Sequence, residues 1–365
     1  MALKDDEDAS SALDRHFANV LLAERLVVLA GLGTSRCLSA SSGDPIAPTM
    51  DDLWNAARAW DEDDFTEILK EAGWPSASPR NDIELLLSRC QMALELKPDK
   101  KLEEFIKKAE EMIVSKCRFV TAELDLGIHE AFMRKVARRS TTLPRTQLYT
   151  TNYDLAFEIA AAGMGFSIID GFSHAHPQRF DGSYFDHDFA IRDRERATAP
   201  IDWAPNVIQL HKLHGSVDWF RAPDGEVRKD ASAKHPLIVY PRASKFEVSY
   251  QQPFLELMAR FQAALRRPET GLMIIGSGFN DDHISQPILA ALRSNVRLTA
   301  VVVDPDLEGS KNQHIARVRE LIKRGDRRIA LLAGTFEEAV ERMPDFIALT
   351  ETEHHEARIA KSSNG

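Results

Sequence analysis

The chain has 365 residues, a formal net charge of −10 and three cysteines. The negative charge argues against a protein that coats nucleic acid through a basic face, so nucleic acid binding is not indicated for this chain. The polar, acidic N-terminus does not read as a signal peptide, and no run approaches the roughly 18 apolar residues of a membrane span. The cysteines form no C-x-x-C pair, so we expect free thiols in a cytoplasmic protein that does not bind a membrane.

The first elements along the chain are a helix over Leu13–Glu24 and a buried strand over Leu26–Ala30. The strand runs into Gly31-Leu32-Gly33-Thr34-Ser35, and a strand that enters a glycine turn is typical of nucleotide-binding α/β units. From Asp51 to about Arg139, apolar residues recur at helical spacing and no strand pattern interrupts them. This segment predicts an all-helical insertion, in which Asn81-Asp82 are candidate N-caps of one helix.

Strand patterns return after this insertion and alternate with helices, which predicts a doubly wound, mainly parallel, Rossmann-like α/β sheet. We expect residues 1–50 and 140–350 to form this domain, residues 51–139 the insertion and residues 351–365 a flexible tail. The segment Gly171–Asn206 fits neither period and predicts an irregular excursion. The predicted strands are Gln147–Tyr149, Phe166–Ile169, Val207–Leu210, Leu237–Tyr240, Leu272–Ile275, Leu298–Val303 and Ile329–Leu332, and the helices between them include Phe254–Leu265, Ile284–Leu292 and Gln313–Lys323.

Ligands of a doubly wound sheet bind outside the carboxyl ends of its strands, and two strands here end in unusual residues. Gly31 and Gly33 permit close backbone approach, and free N–H groups at a helix start attract phosphate, although G-x-G is also typical of plain turns. The next strand ends in Thr151, Asn152 and Asp154, which can bind a polar ligand but are costly to bury without partners. Capping of the following helix is the alternative, and it fits Asp154 better than Asn152.

Three later strand ends carry further candidates. His211 and His214 lie three apart, so on a strand they point to opposite faces. His214, next to a glycine, is the better candidate for a general base, and His211 is expected to be a hydrogen-bonded core residue. Gly276-Ser277-Gly278 suits a phosphate or ribose, or else a tight turn before a helix capped by Asp281 or Asp282. Asp304 follows the next strand, where a carboxylate can hold a ribose or belong to a turn.

The order of these motifs, G-x-G-T-S, T-N-x-D, H-G-S and G-S-G-F-x-D, resembles the sirtuin fold family from Leu26 to Leu332. The stretch from Gly43-Asp44-Pro45 to Trp54 resembles the mobile cofactor loop of that family. Protein-deacylating sirtuins carry a four-cysteine zinc ribbon, which three cysteines cannot build. The forms "TTNYD", "LHGS", "YPRASK" and "GSGFNDDHI" are closer to zinc-less bacterial sirtuin-like domains, which are NAD hydrolases of antiphage defence systems.

The resemblance implies NAD+ as substrate, no metal, and cleavage of the nicotinamide–ribose bond. Asn152 would orient a water or the ribose hydroxyls, and His214 would accept a proton. The cluster of His174, His176 and nearby Asp181, Asp186 and His187 is expected to be a loop surface rather than a metal site. The remaining residues implied to bind the pyrophosphate, the ribose or the adenosine half are Gly31, Gly33, Thr34, Ser35, Thr151, Asp154, Gly276, Ser277, Gly278 and Asp304.

Among defence proteins of this kind, some act with a separate HerA-type hexameric ATPase, and this arrangement fits a chain with little beyond the two predicted parts. We also expect a homo-oligomer, with a resting state held inactive by assembly or by an absent partner. The alternatives are an NAD-dependent protein deacylase and a non-catalytic nucleotide-sensing subunit or scaffold of an ATPase complex. A nuclease would need convergent acidic ligands, and Asp281–His283 is expected to cap a helix instead.

Overall fold

The computed structural model describes residues 7–40, 43–75, 81–192, 201–239 and 252–345, with side chains from residue 10 onward. Eleven α-helices lie within these ranges: α1 (Glu7–Leu22), α2 (Met50–Arg58), α3 (Glu62–Glu71), α4 (Ile83–Leu96), α5 (Lys100–Cys117), α6 (Gly127–Ala137), α7 (Ala156–Gly163), α8 (Phe254–Arg266), α9 (Asp282–Ser294), α10 (Gln313–Lys323) and α11 (Phe336–Arg342). The strands of the same ranges are β1 (Arg25–Ala30), β2 (Gln147–Thr150), β3 (Ser167–Ile169), β4 (Ala190–Ile191), β5 (Asp202–Trp203), β6 (Val207–Lys212), β7 (Trp219–Arg221), β8 (Val227–Lys229), β9 (Thr270–Ile275), β10 (Thr299–Val303) and β11 (Ile329–Leu332).

Seven strands form one parallel sheet in the order β11-β10-β9-β1-β2-β6-β3. The chain builds outward from β1 through β2 on one side, then returns to β9 and builds outward through β10 and β11 on the other. The strand order therefore reverses between β1 and β9, and this switch point is where a doubly wound sheet opens a crevice for a ligand. The predicted fold class, a Rossmann-like parallel sheet flanked by helices, is confirmed.

Alternate residues of the central strands enter two separate cores, one on each face of the sheet. Val27 and Leu29 pack with Phe261 in the first core, whereas Val28 packs with Phe17 and Phe132 in the second. Because helices cover both faces, the strand sequence is a continuous apolar run rather than an alternating one. That run is the reason that β1 could be predicted from the sequence.

Helices α2 to α5 enclose a core of their own around Trp54. The Trp54 ring lies 5.1 Å from the Phe65 ring and 5.0 Å from the Trp74 ring, between ring centroids. Asp82 caps α4 as predicted, since its side chain accepts from the backbone N–H of Leu85. The next helix, α6, packs instead on the sheet through residues such as Phe132. The division of the chain into domains stays a prediction.

The predicted strand Leu237–Tyr240 is wrong for the residues that the structure describes. Ile238 forms an isolated antiparallel bridge with Gly215, and no ladder of the parallel sheet includes it. Ile238 is buried against the core of the helices α2 to α5, and the backbone N–H groups of Leu237 and Val239 donate to Trp219 and His214 rather than to a strand of the parallel sheet. Tyr240 and the predicted tail lie outside the described residues.

The predicted excursion over 171–206 contains a short 3₁₀ helix (Gly182–Asp186) and the two-residue strands β4 and β5, with residues 193–200 outside the description. No helix in the described ranges combines the length and apolar character that a membrane span requires.

Candidate active site at the carboxyl ends of the strands

The loops after β1, β2, β6, β9 and β10 surround a cleft with a volume of about 1410 Å³. Helices α2 to α5 form much of its other wall, for instance through Leu53 and Arg89. Thr34 and Ser35, which were also predicted for the site, are fully buried. The predicted residues that line the cleft are Gly33, Thr151, Asn152, Asp154, His214, Gly276, Ser277, Gly278 and Asp304.

The glycines after β1 and β9 are required because the two backbones touch at the switch point. A Cβ atom on Gly31 would lie 2.5 Å from the carbonyl oxygen of Gly276, and one on Gly33 would lie 2.5 Å from its Cα. Gly276 itself has a φ of 59°, which disfavours any side chain. These glycines are therefore explained by close packing of two loops that both belong to the cleft.

Four backbone amides of the loop after β1 donate to carbonyl oxygens of the protein itself. The N–H groups of Gly31, Gly33, Thr34 and Ser35 donate to the carbonyl oxygens of Ile275, Gly276, Gly31 and Leu32, at 2.9 to 3.0 Å. In this conformation none of the four amides points at a ligand phosphate. A role of these residues in binding NAD stays a prediction, and it cannot rest on these amides as they stand.

Asn152 connects the loop after β2 to the loop after β1. Its amide Nδ2 lies 3.1 Å from the Gly31 oxygen, 3.2 Å from Thr34 Oγ1 and 2.9 Å from Ser35 Oγ. A backbone carbonyl can only accept, so the NH₂ end of the side chain must face Gly31. The amide oxygen Oδ1 is left without a donor among the described residues, in a side chain that is 8% exposed.

Asp154 is held by its neighbours and caps the next helix. Its Oδ2 accepts from Ser35 Oγ at 2.8 Å, and its Oδ1 accepts from the backbone N–H of Ala156 at the start of α7. The capping alternative is thus supported for Asp154, although the cap position proper is Leu155.

Lys212, at the end of β6, stabilises the loop that follows β2. Its buried ammonium donates to the backbone oxygen of Asp154 and forms an ion pair with Glu158 at 2.9 Å. Burial raises the pKa of the Glu158 carboxyl, and Lys212 counteracts that shift. The role of Lys212 could not be predicted, because a lysine two residues beyond the predicted strand Val207–Leu210 gives no sign of its partners.

His214 is 7% exposed and lines the cleft, and its Nε2 lies 2.9 Å from Nε2 of His283 in the first turn of α9. His283 belongs to the Asp281–His283 stretch that was expected to cap α9. Asp281 does occupy the N-cap position, but its side chain makes no capping bond. The "DDH" stretch marked His283 as a candidate residue, but nothing in the sequence indicated that its side chain would contact His214.

His211 points away from the cleft, as expected, and is fully buried. Its ring stacks between Tyr149, at 4.3 Å, and Phe185, at 4.0 Å between centroids. The expected hydrogen bonds are absent, since neither ring nitrogen finds a partner among the described residues. Burial lowers the pKa of His211 well below its ordinary value, so the ring is neutral.

Asp304 links the loops that follow β9 and β10 through hydrogen bonds. Its Oδ2 accepts from the backbone N–H of Gly278 at 3.3 Å and its Oδ1 accepts from that of Asp306 at 3.0 Å. Burial raises the pKa of the Asp304 carboxyl. Asn312 fixes the same turn by donating to the Phe279 oxygen at 2.8 Å, where Phe279 has an unfavourable φ of 53°. The alternative that Asp304 belongs to a turn is thus supported, although Asp304 also lines the cleft.

The histidine- and aspartate-rich segment after β3 does not converge on one point. Asp186 pairs with Arg260, and Asp181 accepts from the backbone N–H of Ser183. Across the described ranges, no group of three or more His, Cys, Asp or Glu side chains is arranged to hold a metal ion.

Residues 146–325 match the family model of the SIR2-like domain. The match includes β2, β6, β9 and β10 with their cleft residues, and leaves out β1 and the helices α1 to α6. Curated proteins gave no significant match to the chain. The family match supports a sirtuin-like family, whose SIR2-like domains use NAD+, and so suggests an NAD-related activity.

Proposed function

We propose that the protein is an NAD+ hydrolase that cleaves the nicotinamide–ribose bond and releases nicotinamide and ADP-ribose. The observation that carries this proposal is the arrangement of Asn152 and His214. They follow the adjacent strands β2 and β6 and line one cleft, together with Gly276, Ser277, Gly278 and Asp304. The SIR2-like match over the same strands favours NAD+ as the ligand of this cleft.

The reaction requires little acid assistance. The bond between C1′ and the nicotinamide nitrogen breaks, and its electron pair neutralises the positively charged pyridinium ring. The C1′ centre gains oxocarbenium character and is attacked by a water oxygen, which loses one proton. A site that positions this water and accepts its proton therefore supplies the catalysis.

Asn152 offers one acceptor in a fixed position. Because its Nδ2 faces Gly31, Thr34 and Ser35, its Oδ1 is the atom that remains for a ligand. In the proposed reaction this oxygen accepts a hydrogen bond from the attacking water or from a ribose hydroxyl. The bonds on the other side hold the amide in that orientation before substrate binds.

His214 accepts the proton, either directly or through the ribose hydroxyls. A single proton lies between its Nε2 and that of His283, so one ring donates and the other accepts. His283 acts on the reaction through His214, whose ring it orients.

The antiphage role, the homo-oligomer, the inactive resting state and the HerA-type ATPase partner rest on the resemblance and stay predictions. Turnover of NAD+ by the purified protein tests the chemistry, and it would at the same time contradict the predicted inactive resting state. Purified protein is incubated with NAD+ in H₂¹⁸O, and the products are identified by mass spectrometry. Free nicotinamide with ¹⁸O in the ADP-ribose supports hydrolysis. Cleavage only when an acylated peptide is present, with the acyl group on ADP-ribose, would instead indicate a deacylase.

A further inference from the structure

We propose that Arg36 binds the pyrophosphate of the substrate and makes the site selective for dinucleotides over ribosides that carry no phosphate. This inference rests on the proposed function and extends it, because the amides of the loop residues implied to bind the pyrophosphate are engaged by the protein itself. Arg36 directly follows the loop after β1 and lines the cleft.

The cleft is otherwise unfavourable for an anion. Among the described residues that line it, carboxylates far outnumber cations, which are Arg36 and Arg89. A pyrophosphate carries two negative charges and would be repelled by such a wall unless a cation contacts it. The lining carboxylates are Asp51, Glu71, Asp82, Glu84, Asp154, Asp281, Asp304 and Asp306.

The usual alternative to a cation, a nest of backbone amides, is largely occupied here. The amides of Gly31, Gly33, Thr34 and Ser35 bond to carbonyl oxygens, and that of Gly278 donates to Asp304. Most backbone amides at the switch point are therefore engaged by the protein itself, which favours a side-chain donor for the phosphates. A guanidinium supplies planar, paired N–H groups that match phosphate oxygens.

The guanidinium of Arg36 is oriented by one hydrogen bond, and its remaining N–H groups can bind a ligand. Its Nη1 donates to the backbone oxygen of Ala47 at 2.8 Å. The Asp52 carboxylate lies 3.9 Å away and is more than half exposed, so this ion pair is weak. The other N–H groups of Arg36 have no partner among the described residues, and its side chain is 37% exposed. The head is therefore oriented by one backbone bond and open to a ligand.

Arg89 provides a matched control. It also lines the cleft and also donates through Nη1 to a backbone oxygen, that of Gly73, at 2.8 Å. It lies on α4, in the helical wall, rather than on the loop at the switch point. Its replacement removes the same charge from the same cleft without touching the proposed phosphate contact.

The test compares Arg36→Gln, Arg36→Lys and Arg89→Gln with the wild type. Calorimetry gives the Kd of ADP-ribose and of adenosine, and turnover gives kcat/KM for NAD+ and for nicotinamide riboside, which has no phosphate. Arg36→Gln should weaken ADP-ribose binding and lower kcat/KM for NAD+ by about 10- to 100-fold, the range for bonds to charged groups, with adenosine and the riboside unchanged. Arg36→Lys should be intermediate, and Arg89→Gln should change each value less than about threefold.

Equal losses with ligands that carry phosphates and ligands that lack them would show that Arg36 has a structural role. No loss of ADP-ribose binding would show that Arg36 does not contact the phosphates. Either result overturns the inference. If the wild type binds ADP-ribose but never cleaves NAD+, the proposed hydrolase activity fails, and the binding measurements still decide the role of Arg36.

Discussion

The side chain of Asn152 donates to Ser35 Oγ at 2.9 Å, and Ser35 in turn donates to Asp154 Oδ2 at 2.8 Å. This chain of bonds fastens the loop after β2 to the loop after β1 across two adjacent strands. Asn152 consequently has two roles that a single substitution would mix: it supports the loops, and it offers Oδ1 to the cleft.

Ser35→Ala separates these roles. It removes the hydroxyl between Asn152 and Asp154 but keeps the bonds from Nδ2 to Gly31 and Thr34 that orient the amide. It should therefore destabilise the protein by about 1–3 kcal/mol and retain most NAD+ turnover. Asn152→Ala should cost a similar amount of stability but lower kcat by at least about 100-fold. Denaturant unfolding and turnover are measured on both variants. Equal losses of kcat in Ser35→Ala and Asn152→Ala would show that Asn152 has only a structural role.

Gly276→Ala should be strongly destabilising. The added Cβ would lie 2.4 Å from the Cα of Gly33, in a residue whose φ is already 59°. Left-handed backbone strain and overpacking together predict a loss of about 2–5 kcal/mol in the free energy of unfolding. Gly225→Ala is the control, because its φ is 87° but no atom lies within 4 Å of the new methyl group. It should cost about 1–2 kcal/mol, and an equal cost at both sites would contradict the close loop contact.

Lys212→Met should destabilise the protein more at pH 8 than at pH 5. Burial already raises the folded-state pKa of Glu158, and removing Lys212 raises it further. The folded protein then binds a proton that the unfolded chain has released, so stability falls as the pH rises through the interval between the two pKa values. We expect a loss of up to about 3 kcal/mol at pH 8, since Glu158 remains partly exposed.

The double variant Lys212→Met with Glu158→Gln tests the same pair. It removes the charge that would be left uncompensated, so most of the pH dependence introduced by Lys212→Met should disappear. Urea unfolding at the two pH values measures this. A destabilisation by Lys212→Met that is independent of pH would show that the lost bonds to the loop dominate, and not the ion pair.

His211→Phe should preserve turnover and raise stability by about 1–2 kcal/mol, because two buried ring nitrogens without partners are replaced by carbon while the stack on Tyr149 and Phe185 is kept. It should also reduce acid sensitivity. Burial depresses the folded-state pKa of His211, so below about pH 6.5 the unfolded chain binds a proton that the folded protein does not, and stability is lost as the pH falls. Thermal unfolding at pH 5.5 and 7.5 measures both effects. A lower Tm at both values would contradict this account.

His283→Ala should lower kcat by about 10-fold while leaving the KM for NAD+ nearly unchanged, because His283 orients His214 and does not touch the substrate in the proposed reaction. Nitrogen NMR of labelled histidine side chains should also show a changed tautomer for His214. His283→Gln retains a hydrogen-bonding side chain and should recover part of the rate. A change in KM alone would place His283 in substrate binding instead.

The sequence predicted the parallel sheet and the positions of the strand ends because both follow from general rules. Covered parallel strands must be apolar throughout, as in β1, and their carboxyl ends must lie along one edge. The contacts between His214 and His283, and between Asn152 and Ser35, could not be predicted, since they depend on loop conformations set by tertiary packing. The strand predicted around Ile238 was wrong for a different reason: a short apolar run does not distinguish a strand from a buried loop.

The central claim is that Asn152 and His214 form a hydrolytic site for NAD+, and quantifying nicotinamide and ADP-ribose by chromatography tests it most directly. The assay uses the wild type, Ser35→Ala as the stability control, and the variants Asn152→Ala and His214→Ala. The account predicts equimolar products from the first two and release at least about 100-fold slower from the others. Undiminished release of nicotinamide and ADP-ribose by folded His214→Ala would contradict it.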